Sequence, residues 1–304
     1  MNFEDMAAQL AAHPDYKVKR RLAPILNFGL GTSGPTRRVL LLDTETTGLD
    51  WRSERIIELA MLAVDVDVQT GLPVGEVEVF EGFEDPDRSI PPEIVKLTGI
   101  TNQDVKGQQL NEAKINDMVQ GADLIVAHNA SFDRPFVENR LEVFEHKAWA
   151  CSFAGIDWKM QGMGSAKLEF LCSELGWFYD AHRAQVDCHA LLRVLSAPLK
   201  YKPDATPLTG LQQLFKSAQQ ARTVVKAYGS PFETKDLLKS RGYRWDAEAK
   251  VWYTAVKSAE ALDVEAEWLK TQIYNGRSAK IGLETQDANV QFSSRSGKSG
   301  DRVL

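Results

Sequence analysis

LLDTETTG, residues 41–48, is the stretch on which the reading of this chain turns. Val39–Leu42 is an uninterrupted apolar run, as a central strand covered on both faces requires. Side chains alternate along a strand, so Asp43 and Glu45 project from one face while Thr44 points away. Two carboxylates that close repel each other unless a cation lies between them, and hard oxygen donors select Mg²⁺ or Mn²⁺ over softer metals. An isolated DxE is also what a solvated turn after a strand looks like, so the pair means little alone.

Two later segments give it company. ADLIVAHNASFD, residues 122–133, reads as a second apolar strand (Leu124–Ala127) running through His128 and Asn129 into a helix, with Ser131 expected as N-cap and Asp133 in the first turn. An acidic residue there is favoured by the helix dipole without any metal, so capping and ligation both stand for Asp133. HRAQVDCH, residues 182–189, precedes Leu191, Leu192, Val194 and Leu195 at helical spacing, which puts Asp187 early on that helix. At about 3.6 residues per turn His182 is rotated off the face of Asp187 and belongs on the entering loop, where a side chain can swing.

Taken in order, DTETTG, HNASFD and HRAQVD resemble the three motifs of the DEDDh family of 3′-5′ exonucleases, to which the proofreading epsilon subunit of bacterial DNA polymerase III belongs. The resemblance runs from about Arg37 to Leu195, roughly half the chain. Ile57-Glu58-Leu59-Ala60 and the LTGIT segment Leu97–Thr101 match supporting positions, the latter lining the substrate pocket in relatives. His182, where sister families carry Tyr, assigns the chain to the histidine branch. The resemblance implies a ribonuclease-H-like fold and a pair of Mg²⁺ or Mn²⁺ ions held by Asp43, Glu45, Asp133 and Asp187, with Asp43 as the bridging ligand.

Phosphodiester hydrolysis needs an activated water, neutralisation of charge growing on the phosphoryl oxygens, and help for the departing 3′ oxygen; a metal pair about 3.5–4 Å apart supplies all three. An imidazole titrates near neutral pH, which makes His182 the candidate general base, the alternative being a surface loop histidine. Thr46, Gly48 and Leu49 follow the DxE pair in a turn. Gly48 permits close backbone approach to a nucleotide, and the resemblance implies that Leu49 wedges against the terminal base. His128 resembles a structural and substrate-positioning residue, and Phe132 either stacks on a base or belongs to the core. The expected activity is release of nucleoside monophosphates from the 3′ ends of single-stranded DNA, in proofreading or repair, with RNA or short oligonucleotides as the alternative substrate. A non-catalytic module binding nucleic acid or a polymerase would tend to have lost a carboxylate or the base, and all five residues are present.

Composition agrees without dictating this. At 304 residues, 43% hydrophobic and 26% charged, the chain suits one full globular domain and a smaller one. A net charge of −6 argues against a broad duplex-gripping surface, not against an enzyme that touches only the last nucleotides. Lys17, Lys19, Arg20, Arg21, Arg37 and Arg38 concentrate before the first strand and could meet a phosphate backbone, a partner protein or only solvent. No apolar run reaches membrane-span length, and the N-terminus, with Glu4 and Asp5, does not read as a secretory signal. Cys151, Cys172 and Cys188 show no metal or disulfide spacing, so reduced thiols and a cytoplasmic location are expected.

The expected divisions are an N-terminal extension and Gly-rich linker (1–36), the exonuclease domain (37–197), a proline-bearing linker and helix (198–222), a small α+β domain (223–275) and a polar, disordered tail (276–304). In the exonuclease domain the pattern predicts strands at 39–46, 56–66, 76–83, 123–128 and 149–154 and helices at 111–120, 131–144, 166–176 and 184–196, a mixed five-stranded sheet with flanking helices. LQQLFKS, 211–217, faintly resembles a sliding-clamp-binding peptide, although amphipathic spacing is usually core. In the small domain a helix Thr234–Arg241 capped by Gly242 precedes two aromatic strands and a helix Ser258–Tyr274. Its Tyr243, Trp245, Trp252 and Tyr253, with Lys239, Arg241, Arg244 and Lys250, could form a stacking platform for single strands; so small a domain needs such aromatics as core, so the Trp residues are expected there and the charged rim is left open.

Overall fold

The computed structural model describes residues 2–29, 34–200 and 208–304, and the chain divides into two compact units, Met1–Ser217 and Ala218–Leu304. The first is organised on five strands: β1 (Thr36–Thr46), β2 (Ile56–Asp67), β3 (Pro73–Phe83), β4 (Leu124–Ala127) and β5 (Trp149–Cys151). They lie in the order β3-β2-β1-β4-β5. Strand β2 is antiparallel to both neighbours, whereas β4 runs parallel to β1 and β5 to β4. The central position of β1 explains its composition, since Val39–Leu42 are fully buried.

Parallel neighbours need crossovers, and these carry α1 (Glu112–Gly121), between β3 and β4, and α2 (Ala130–Arg140), between β4 and β5. Helices α3 (Leu168–Glu174) and α4 (Ala184–Ser196) follow, α4 lying against β1 and β2. The mixed five-stranded sheet with flanking helices is as expected, with boundaries shifted by a few residues. One detail is corrected: the N-cap of α2 is Asn129, not Ser131. Asn129 is in the left-handed region (φ 71°), which Asn tolerates, and Ser131 falls inside the first turn, its hydroxyl 3.2 Å from the Asn129 amide oxygen.

The helix Gly210–Ala218 closes this unit, so the boundary lies past residue 197. Its Leu211, Leu214 and Phe215 are buried, and Leu214 packs so closely on Gly155 that an added Cβ there would come within 2.9 Å of it. LQQLFKS is therefore core, not a displayed clamp-binding peptide. Of the proline-bearing linker, residues 201–207 lie outside the described residues, as do 30–33 of the N-terminal one. The basic cluster before β1 is partly neutralised: Arg20 pairs with Glu4 at 2.6 Å, Arg21 with Asp180 at 2.7 Å and Arg38 with Glu78.

The second unit is an antiparallel sheet of β6 (Arg222–Ala227), β7 (Arg244–Asp246), β8 (Val251–Val256), β9 (Lys280–Gln286) and β10 (Lys298–Val303), in the order β10-β9-β6-β8-β7. Two helices, Lys235–Ser240 and Ala259–Trp268, cover its core of Val225, Ala227, Leu238, Tyr243, Leu269 and Ile281. Gly242 follows the first helix at φ 90°, as a glycine past a helix end should. Residues 276–304, expected as a disordered tail, instead supply two of the five strands. Composition hid this because β10 is an exposed edge held by backbone pairing, and β9 puts only Ile281 and Leu283 on the core beside buried Gly282 and Glu284, the latter 2.7 Å from Lys226. A second correction concerns the tryptophans: Trp252 packs partly on the core, but Trp245 is 49% exposed.

Candidate active site

The DxE pair lies at the C-terminal end of β1, where Asp43 stands opposite Ala60 of β2 and Glu45 opposite Glu58. The ladder slips between Glu45 and Thr46, releasing the chain into the turn that follows. Asp187 is in the first turn of α4, above the same strand end. Carboxylate oxygens of Asp43, Glu45 and Asp187 all lie within 4.8 Å of one another. Asp133, in the first turn of α2, is buried and is held from below: its Oδ1 accepts from the Thr44 amide (3.0 Å) and hydroxyl (2.8 Å). Thr44 thus faces away from the pair, as alternation requires, and uses that orientation to fix Asp133. Asp133 falls outside the three-residue group, but its charge is felt by Asp43 and Glu45.

Electrostatics report how unfavourable this arrangement is when empty of positive charge. Asp43 is raised well above the usual carboxylate range, first by burial and then by Asp133, Asp187 and Glu45. Glu45 is pushed up to about 8 by burial, Asp187 and Glu58, with Arg183 opposing. Asp133 is raised by burial against the two Thr44 hydrogen bonds. Asp187 is raised by burial, although it accepts from the Tyr179 hydroxyl (2.9 Å) and the amides of His182 (2.9 Å) and Arg183 (3.2 Å). Clustered oxygen donors of this kind could hold a metal ion, which would offset their mutual repulsion.

His182 is on the loop entering α4, exposed, with a left-handed backbone (φ 68°) that turns its amide onto Asp187. Its side chain belongs to solvent, outside the carboxylate group. Leu49 is 85% exposed at the turn after β1, and Leu97 is exposed on the short helix Pro92–Thr98. Thr46 is buried, its hydroxyl donating to the Gly48 carbonyl at 2.6 Å. A Cβ on Gly48 would meet Glu54 Cγ at 2.9 Å, so this glycine already has a packing reason to be there. His128 pairs through Nδ1 with Ser152 Oγ at 2.7 Å, and burial pushes it down to about 4, leaving it neutral. Phe132 is half-buried against Phe136, ring centroids 5.1 Å apart.

Sequence reasoning noted Glu58 only as a matching position and gave Arg183 and Tyr179 no role. Glu58 is wholly buried beside Glu45, yet its Oε1 lies 3.2 Å from Arg183 Nη2 and its Oε2 accepts from the Ala184 amide at 3.1 Å. Arg183 also reaches Glu81 at 3.3 Å. This pairing fastens the start of α4, and with it Asp187, to β2. The available signal was a charged residue inside the apolar run IIELAMLAV, which a buried strand tolerates only with a partner.

Comparison with known proteins follows the same lines. The RNase T family, described as exonuclease, matches residues 40–195. The chain is 28% identical over 189 residues to the PolC-type DNA polymerase III of Mycoplasma pneumoniae, covering 60% of this chain and 13% of that one. It is 32% identical over 111 residues to the DNA polymerase III epsilon subunit of Rickettsia typhi (36% and 46%), and 36% identical over 115 residues to the 3′-5′ exonuclease DinG of Bacillus subtilis (37% and 11%). It therefore spans less than half the length of each of these relatives. Among solved structures, exonuclease X in complex with 5′ overhanging duplex DNA aligns with 25% identity and a TM-score of 0.39 over 52% of this chain and 89% of that one. An exonuclease I structure aligns with 20% identity and a TM-score of 0.47 over 73% and 62%. With the matched segment spanning half the sequence and containing the whole carboxylate group, the chain belongs to the RNase T family of exonucleases.

Proposed function

We propose that the first unit is a DEDDh-type 3′-5′ exonuclease that releases nucleoside monophosphates from 3′ ends, with single-stranded DNA as its preferred substrate. The observation that carries this reading is the meeting of Asp43, Glu45 and Asp187 oxygens within 4.8 Å, although these residues come from a strand and a helix far apart in sequence. Asp43, Glu45, Asp133 and Asp187 would hold two Mg²⁺ or Mn²⁺ ions. When bound, those ions activate water and neutralise charge on the phosphoryl oxygens and the departing 3′ oxygen.

The chain's own groups do the rest. Asp43 would be the shared ligand of the two ions, as the resemblance to DEDDh exonucleases implies. Thr44 keeps Asp133 turned toward the group, while Tyr179 and the amides of His182 and Arg183 orient Asp187. His182, on its exposed loop, accepts the proton of the attacking water at its imidazole. Leu49 and Leu97 present apolar surface to the terminal bases, and Phe132 and neutral His128 shape the neighbouring wall. Similarity to DNA polymerase III subunits supports a proofreading or repair setting with a polymerase partner. Among the described residues no helix is long and apolar enough to cross a membrane.

The test is incubation with 3′- and 5′-labelled DNA and RNA single strands, with Mg²⁺, Mn²⁺ or chelator. Mononucleotides released from the 3′ end, only with metal and faster from DNA, are expected. Internal cleavage, 5′ release or activity in chelator would refute the assignment.

A further inference from the structure

The second unit lies outside the matched family segment and carries its own charge. Residues 218–304 contain 14 Lys and Arg against 11 Asp and Glu, a formal +3, whereas residues 1–217 contain 22 against 31, a formal −9; together these give the −6 of the whole chain. The net negative charge of the first unit disfavours a polyanion on average, and the positive surplus sits in the second unit.

Within that unit an aromatic and cationic strip can be followed contact by contact. Lys235 Nζ is 4.2 Å from the centroid of Phe232, itself 75% exposed. Lys239 is one helical turn beyond Lys235 on the same side of the helix Lys235–Ser240, and its Nζ is 6.0 Å from the Trp252 ring. Trp252 pairs across the ladder with Trp245, their rings 5.5 Å apart and tilted by 57°. Tyr243, Trp268 and the buried face of Trp252 already fill the core, so half-exposed Trp245 adds apolar surface to solvent at an edge strand without a packing need. Among the described residues neither Lys235 nor Lys239 is ion-paired, while Arg241 is committed to buried Glu265 at 3.0 Å. The acidic Asp246 beside Trp245 is occupied by the Glu248 and Ala249 amides.

We propose that this strip, Phe232–Lys235–Lys239–Trp252–Trp245, binds single-stranded nucleic acid, with bases stacking on the exposed rings and phosphates meeting the two ammonium groups. Alternating π-faces and cations suit an unpaired strand, whose bases are open to stacking, better than a duplex, whose bases are already stacked. The proposal rests on the exonuclease reading for its purpose, which is to hold the polymer whose end is trimmed, but not for its test.

The test is fluorescence anisotropy of the full chain, in chelator so that nothing is hydrolysed, with labelled oligo-dT, oligo-rU and a blunt duplex. Trp245→Ala should weaken single-strand binding roughly tenfold, as loss of one stacked base would, and Trp245→Phe should recover most of it. The double variant Lys235→Ala/Lys239→Ala should lower the slope of log affinity against log salt by about 1.4, two phosphate contacts at roughly 0.7 each. The dT and rU arms read which sugar is preferred. Turnover of a dinucleotide with metal should be unchanged in all three variants, and failure of catalysis in the wild type would leave the chelator result standing. Wild-type affinity in both the Trp245→Ala and double-lysine variants, or equal loss on duplex and single strands, would overturn the proposal.

Discussion

Replacing Asp43 with Asn should stabilise the metal-free protein above neutral pH while abolishing hydrolysis. With oxygens no more than 4.8 Å apart, each pair among Asp43, Glu45 and Asp187 costs about 3–4 kcal/mol when both are charged, at an effective dielectric near 20. Protonation relieves part of this: Glu45 is pushed from 4.5 up to about 8. A folded-state value above the unfolded one means that the folded protein binds more protons between those limits, so metal-free stability falls as pH rises from about 4.5 to 8. Asn at 43 removes one charge from every pair it joins, a net gain of about 2–3 kcal/mol at pH 8 after partial protonation is allowed for. That corresponds to a rise of about 5–10 °C in the melting temperature of the first unit. Divalent cations should reverse the loss in the wild type, by about 2.7 kcal/mol at a hundredfold excess over Kd, and do little for the variant. Calorimetry at pH 5, 6.5 and 8, in chelator and then with Mn²⁺, reads all of this. If the variant melts no higher than the wild type at pH 8 in chelator, or if Mn²⁺ stabilises both equally, the site is not the mutually repelling cation pocket described.

Other outcomes can be checked independently. His182→Ala should lower turnover by roughly 10²–10⁴ with metal affinity, by isothermal titration, nearly unchanged; a collapse of metal affinity would make His182 a ligand. Arg134 is fully buried against Glu138 at 2.6 Å, with Trp149 5.3 Å from its guanidinium, so Arg134→Ala should cost about 3–5 kcal/mol in denaturant unfolding. Burial of His128 holds it neutral down to about 4, so its contribution is complete above pH 6.5 and is lost as pH falls toward 4. The wild type should therefore lose up to roughly 3 kcal/mol relative to His128→Asn across that window, and parallel profiles would refute the burial argument.

Local pattern sufficed for the elements that position the site. The apolar run before Asp43, the one before His128 and the helical spacing after Asp187 each fix an element through its own sequence, so α4 was legible to the residue, β4 to within one and β1 to within three. What escaped was whatever depends on a partner remote in the chain. Glu58 and Arg183 are 125 residues apart, and neither alone announces the other. Asn129 displaced Ser131 as cap because a left-handed residue was needed where β4 turns into α2. Strand β10 was unreadable because backbone pairing holds an exposed edge, and β9 because its apolar alternation is only Ile281 and Leu283, too short to stand out in a polar stretch. Trp245 was misassigned because composition gives the number of aromatic residues, not how many the core can use.

The dispersal of the carboxylates also has a developmental meaning. A ribosome delivers Asp43 and Glu45 long before Asp187, and until α4 docks on β1 and β2 with Glu58 gripping Arg183 the cation pocket has too few donors. A chain ending before α4 therefore lacks Asp187 and cannot gather the full carboxylate group, whatever else of the sheet has already formed.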